Sequence, residues 1–176
     1  MLIEFNQDIV SSLKEKGVIS LSINSKENNI IEVIPESKEL GFVGIPNRIN
    51  SEFLKEKIKE RLIPIISPLG LDANNQTHNI NGDTAAGAVA KSLKSRRLLL
   101  MTNVQGVLDK NKTLIQEISS SKIIEMIKDN TITEGMIPKI NTCLDAVNNG
   151  VTAVAIIDGR KELSLIHISE PTRQSL

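Results

Sequence analysis

The sequence predicts an α/β fold on an open, mainly parallel sheet, and two observations carry that expectation. Short aliphatic runs alternate with longer segments of helical periodicity, the pattern of repeated strand–helix–strand units. Three of the four strand candidates, LIPIISPL (62–69), RLLLMT (97–102) and VTAVAIID (151–158), are also continuous apolar runs, as expected when helices cover both faces of a strand.

In chain order, a helix is expected near 5–15, then the strand GVISLSI (17–23) and a helix near 50–60 ahead of 62–69. The helix at 84–95 is built from Ala85, Ala86, Gly87, Ala88 and Ala90, small enough to lie close against a sheet. After 97–102 comes a helix over 119–129, with Ser119 as N-cap, Ile118 and Ile123 able to staple across it, and Ile123, Met126 and Ile127 on one face. The helix over 138–149 has Pro138 in its first turn, a stripe of Ile140, Leu144 and Val147, and Gly150 just past its end. Cys143 sits beside that stripe and reads as core. The strand 151–158 closes the pattern. Residues 163–176, LSLIHISEPTRQSL, continue no periodicity and shift abruptly in composition. They resemble translated sequencing adapter, a non-native tail in which His167 has no role.

Composition excludes several functions. Its 176 residues suffice for one domain with a real core. With 21 basic against 21 acidic residues, no net charge steers the chain toward nucleic acid or an anionic membrane. Phe5, Phe42 and Phe53 are the only aromatics, too few for base-stacking platforms. One cysteine and two histidines fall short of a structural zinc site. No apolar run nears the ~18 residues of a membrane span, and MLIEFNQDIV lacks the shape of a signal peptide. A cytoplasmic protein is expected.

Ligands in open α/β sheets bind beyond the carboxyl ends of strands, and anions favour helix N-termini. Three loops stand there. In HNINGDTAAGAVAKSL (78–93), the alternating Asn79, Asn81 and Asp83 fall on one side of an extended segment. Asp83 could cap the following helix, but a cap accounts for one of the three; a small polar ligand accounts for all. In TNVQGVLDKNKT (102–113), Gly106 permits close backbone approach at what reads as a nucleotide-binding edge. No Walker A or GxGxxG motif occurs, so the nucleotide site is of another type. In TEGMIPKI (133–140), Lys139 lies in a first helical turn, where a cation opposes the helix dipole by about 0.3–1 kcal/mol. The arrangement makes sense if a phosphate occupies the helix N-terminus.

The motifs NINGDTAAGAVA, LLLMTNVQGVLDK, ITEGMIPKI, CLDAVNNGV and AIIDGR, in that order and spacing, resemble the amino acid kinase superfamily and, within it, the acetylglutamate kinases. The resemblance is nearly continuous from about 62 to 160 and fainter through INSKENNII (23–31) and LGFVGIPNRIN (40–50). It implies an αβα sandwich, incomplete here, with 1–61 a remnant of the substrate-binding half, 62–162 the nucleotide-binding half and 163–176 outside the domain. It implies ATP with Mg²⁺, N-acetyl-L-glutamate as the acceptor in arginine biosynthesis, and a homo-oligomeric complete protein, with no nucleic-acid or membrane partner. By resemblance Lys139 and Asp83 are catalytic, Lys139 stabilising the transferring phosphoryl group and Asp83 holding the catalytic lysine. Asn79 contacts the substrate; Asn103, Val104, Gln105, Gly106, Val107 and Leu108, with Thr131, Ile132 and Thr133, line the ATP site.

The sequence departs from the family at several points. Asn103 stands where the family has Asp, as a carrier-protein-linked aminoadipate kinase branch tolerates, and Gly82 replaces Ala. The family's first strand with its lysine, the glycine-rich loops and the substrate-binding arginine have no counterpart. The chain is therefore expected to be a fragment truncated at both ends and inactive as given. The alternatives are a related amino-acid-type kinase and a non-catalytic nucleotide-binding module.

Overall fold

The computed structural model describes residues 2–132 and 135–161. Thr133 of the expected ATP site and the 163–176 tail lie outside the described residues. The chain packs as two compact units, Met1–Ser95 and Arg96–Leu176.

The first unit runs α1 (Leu2–Glu15), β1 (Ser20–Ile23), α2 (Ser25–Asn28), β2 (Ile31–Pro35), β3 (Gly44–Ile49), α3 (Ser51–Lys59), β4 (Ile63–Ile66), β5 (Leu69–Leu71), β6 (Thr77–Asn79) and α4 (Gly82–Leu93). Strands β1 and β4 pair in parallel, Ser20 opposite Ile63 through Ile23 opposite Ile66. Helix α1 is tied to that ladder by Asn6, buried, whose Nδ2 donates to the Ile65 carbonyl at 2.8 Å. A second, mixed sheet has the order β3-β2-β5-β6, with β2 antiparallel to β3, parallel to β5, and β5 antiparallel to β6.

Sequence periodicity does not reveal this mixed sheet. GIPNRI, which forms β3, carries Gly44, Pro46 and Arg48 and is not among the four strand candidates; as an edge strand it tolerates a proline that donates no ladder bond. The run 62–69, expected as one strand, divides. Strand β4 stops at Ile66, the Leu69 N–H bonds back to the Ser67 carbonyl at 2.8 Å, and β5 starts on a different partner.

The core of this unit is Ile23, Ile30, Ile31, Val33, Leu54, Ile80 and Ala85, joined by Phe53, Val89 and Leu93. Ser25, fully buried within it, accepts from the Ile31 N–H at 3.1 Å, and its hydroxyl lies 2.5 Å from the Leu69 carbonyl, stitching β2 to β5. Ala85, Gly87 and Ala90 are the buried face of α4, as their small size predicts.

The second unit comprises β7 (Arg97–Thr102), α5 (Ser120–Lys128), α6 (Ile137–Asn148) and β8 (Ala153–Asp158). Strands β7 and β8 pair in parallel without a slip, Arg97 opposite Ala153 through Thr102 opposite Asp158. Both-face coverage of β7 is not observed. Leu98 and Leu100 are buried, whereas Leu99 and Met101 are 38% and 56% exposed. A continuous apolar run by itself does not distinguish these cases. Ile123, Met126, Ile132 and Ile140 form a second core with Ile118, Ile137, Leu144 and Ile156. Ser119 caps α5 by accepting from the Lys122 N–H at 3.3 Å. Helix α6 ends at Asn148, and the chain turns away through Gly150, φ 98°, with the Val151 N–H reaching the Ala146 carbonyl at 3.0 Å. Cys143 is buried, as expected of a core thiol.

Gly70 has the tightest surroundings of the glycines in the first unit. A Cβ there would overlap the Val33 side chain and approach the Ile31 carbonyl to 3.2 Å. Gly70→Ala is therefore expected to lower stability by about 1–3 kcal/mol through overpacking, read as a lower denaturant midpoint with unchanged slope. An unchanged midpoint would contradict this packing.

Candidate functional site

In the second unit, the carboxyl ends of β7 and β8 lie side by side, and the chain leaving β7 borders a cavity of about 410 Å³. Thr102, Asn103, Val104, Gly106, Val107 and Leu108 line one side; Thr131, Ile132, Gly135, Met136 and Lys139 line the other. Segments 23 or more residues apart in sequence thus meet at one surface. Gln105 is exposed and is not among the lining residues.

Each wall has a local cause. Gly106 has φ 132°, a backbone conformation that favours glycine, and a Cβ there would also press on the Leu114 Cδ1 at 2.9 Å. Beyond it, Leu108 pairs with Leu114, and the Asp109 carboxylate accepts from the Asn111 and Thr113 N–H groups at 2.8 Å each. The opposite wall begins where α5 stops. Asn130 takes φ 57° and the Thr131 N–H bonds to the Met126 carbonyl at 2.9 Å, turning the chain toward the cavity.

Asp129 links the walls. One carboxylate oxygen accepts from the Thr131 N–H at 3.0 Å and from its hydroxyl, and the other pairs with the Lys110 Nζ at 2.9 Å. The Thr131 hydroxyl first, then Lys110, pull the Asp129 carboxyl down to about 2.

Lys139 stands in the first turn of α6, whose N-cap, Met136, provides no side-chain hydrogen bond. The positive end of a twelve-residue helix and a lysine therefore border the same cavity. Its polar and cationic edge suits phosphate, and Val104, Val107, Ile132 and Met136 suit an apolar ring. Among the described residues, no three carboxylate, imidazole or thiol groups converge to hold a metal ion.

At the ends of the strands, Asp158 is buried and accepts from Arg160 through its N–H, Nε and Nη2 at 3.1, 2.8 and 2.9 Å. That guanidinium holds the Asp158 carboxyl at about 2. The clamp sits opposite Thr102, whose carbonyl accepts the Gly159 N–H at 2.9 Å. The sequence motifs include AIIDGR without giving Asp158 or Arg160 a role, and the candidate loops 102–113 and 133–140 contain Thr102, Gly135 and Met136 without naming them as ATP-site residues. The signal was their adjacency to strand ends and to the helix entry.

In the first unit, Asn79 ends β6 with its side chain exposed and its N–H held by the Phe42 carbonyl at 2.8 Å. Ile80 is buried between the exposed Asn79 and Asn81. The residue that caps α4 is Asn81, not Asp83. The Asn81 Oδ1 accepts from the Asp83 and Thr84 N–H groups at 3.0 and 3.2 Å. Asp83 occupies the first turn, where its charge complements the helix dipole.

The family model described as "Amino acid kinase family" matches residues 1–158. The chain belongs to the amino acid kinase family. It is 57% identical over 166 residues to an acetylglutamate kinase of Pelagibacter ubique (strain HTCC1062), covering 94% of this chain and 58% of that protein. An acetylglutamate kinase of Jannaschia sp. (strain CCS1) is 42% identical over 155 residues, covering 88% and 54%. The chain thus spans a little over half the length of these curated relatives. Among solved structures, smu.665 of Streptococcus mutans UA159 superposes with TM-score 0.79 at 35% identity, covering 86% of this chain and 62% of that one. Giardia carbamate kinase, at TM-score 0.66 and 17% identity over 90% and 62% of the two chains, shares the fold. No helix among the described residues is long and apolar enough to cross a membrane.

The Asp129 ties predict a pH signature. Its folded value of about 2 lies below the ordinary 3.8, so its stabilisation is complete above about pH 4 and lost as pH falls through 2. The melting-temperature gap between wild type and Asp129→Asn should be constant from about pH 8 to 5 and close between about pH 4 and 2. A gap that persists at pH 2 would contradict these bonds.

Proposed function

We propose that this chain carries part of an ATP-dependent kinase that phosphorylates the side-chain carboxylate of N-acetyl-L-glutamate in arginine biosynthesis, a cytoplasmic activity. The observation that carries the reading is the cavity bordered by Gly106, Thr131 and the α6 N-terminus, whose N-cap Met136 gives no side-chain hydrogen bond, with Lys139 in its first turn. The high identity to acetylglutamate kinases supports the choice of acceptor.

The proposed chemistry asks little of the protein in bond-making terms. In a loose phosphoryl-transfer transition state, charge spreads over the equatorial oxygens, and catalysis is mostly positioning and cationic stabilisation. The acceptor is already a carboxylate, so no strong general base is needed. Lys139 and the α6 amides meet the charge on the migrating group. Gly106 lets the backbone approach the nucleotide, and the Thr131–Ile132 turn forms the facing wall. Mg²⁺ bound on the nucleotide phosphates would neutralise part of their charge. Asn79 orients the acceptor through its neutral amide, and Asp83 completes the proposed catalytic set.

Two kinetic outcomes follow in a polypeptide of the relatives' full length carrying these residues. Lys139→Ala should lower kcat by about 100- to 1000-fold, with the KM for ATP changed far less. A kcat within about tenfold of wild type would remove Lys139 from catalysis. Asn79→Ala should raise the KM for acetylglutamate by about tenfold or more, with ATP affinity unchanged. Loss of ATP affinity with acetylglutamate unaffected would reverse the assignment. Coupled ADP release measures both.

A further inference from the structure

Beneath Asn79 lies a polar pair that the proposed chemistry does not use. His78 precedes Asn79 on β6, so its ring points to the opposite side of the strand, where it is 4% exposed. Its Nε2 lies 3.1 Å from the Asp72 Oδ2. The Asp72 Oδ1 accepts from the Asn74 and Gln76 N–H groups at 2.9 Å each, so one carboxylate organises the β5–β6 turn and grips the ring. These bonds, the Gln76 amide first and then His78, hold the Asp72 carboxyl below the usual carboxylate range.

Packing alone does not account for an imidazole here. Its Nδ1 is buried and without a hydrogen-bond partner among the described residues, a cost an apolar side chain would avoid. What the ring touches is informative. Its edge meets the Phe42 ring, centroids 6.0 Å apart at 61°. The Phe42 carbonyl holds the Asn79 N–H, while on the other flank Asn79 pairs with Leu69. Phe42, packed on the His78 ring, and Leu69, one residue before the Gly70 that pairs with His78, therefore hold the Asn79 backbone from both sides, with its side chain exposed.

We infer that His78 is a positioning residue for the acceptor: clasped by Asp72 and packed on Phe42, it fixes the strand position from which Asn79 presents its amide to a small substrate bearing carboxylate and amide groups. The substrate part rests on the acetylglutamate reading; the clamp on Asn79 does not.

The test uses the 176-residue chain, with His78→Phe to keep a ring without its hydrogen bond and His78→Gln to restore a donor toward Asp72. Hydrogen exchange of the Asn79 amide in this chain reads the clamp, and calorimetric titration of a polypeptide of the relatives' full length carrying these residues, with N-acetyl-L-glutamate and with a non-hydrolysable ATP analogue, reads the substrate role. His78→Phe should lower Asn79 amide protection by about tenfold with β7 amides unchanged, and weaken acetylglutamate several-fold while the nucleotide analogue binds as before. His78→Gln should recover both. Should His78→Phe melt the first unit, Asp72→Asn weakens the same bond with the ring retained, and the same two readouts apply. Asn79 protection that stays at the wild-type level would overturn the inference, as would equal weakening of both ligands. If Asn79 protection falls as expected but acetylglutamate binds neither wild type nor variant, the clamp stands and the acetylglutamate reading fails.

Discussion

The unbroken parallel register of β7 on β8 is the constraint on which the second unit depends. Six consecutive pairs bring Thr102 and Asp158 level at the carboxyl ends, so the loops leaving both strands emerge together. One of those loops becomes a cavity wall through Gly106, and the other is closed on itself by Asp158 and Arg160. A one-residue slip would exchange buried Leu98 and Leu100 for Leu99 and Met101 and misplace Thr102 against its partner. Helices α5 and α6 fill the crossover between these strands, and their mutual packing through Ile123, Met126 and Ile140 sets where the Thr131 turn and the α6 N-terminus fall.

The first unit solves a different problem. Asn79 is a short side chain on a three-residue strand, and so brief a strand has little rigidity of its own. Order comes from its surroundings: the bond to Phe42, the pairing with Leu69, and the Ile80 side chain buried in the core on the next position. Asn81 then caps α4, whose buried Ala85, Gly87 and Ala90 allow close seating. The alternation of exposed and buried residues through 78–81 reflects a strand edge feeding a helix cap, with one amide left to the solvent side.

The sequence made the long elements and the chemistry-bearing loops legible for identifiable reasons. Ser119, Pro138 and Gly150 mark helix ends by cap chemistry, and the observed helices α5 and α6 begin and end beside them. Gly106 signalled a special backbone, and it has one. The mixed sheet stayed hidden because β5 and β6 are three residues each and β3 carries Pro46, so none presents enough period-two pattern to read. Coverage of β7 stayed hidden because Leu98 to Met101 are apolar whichever way they face. Asp129 and Asp158 have no assigned role in the sequence reading; their importance lies in partners, Lys110 and Thr131 for one and Arg160 for the other, that folding brings within reach.

Amide chemical-shift mapping is the most direct test of the central claim, that the β7-side cavity receives a nucleotide with its phosphates toward the α6 N-terminus. A non-hydrolysable ATP analogue with Mg²⁺ would be titrated into the isotope-labelled chain. The account predicts that the largest shifts fall on Gly106, Val107, Thr131, Ile132 and the Met136–Lys139 turn, with Asn79 and Asn81 little moved. Shifts centred on residues 78–83, with the cavity amides silent, would contradict it.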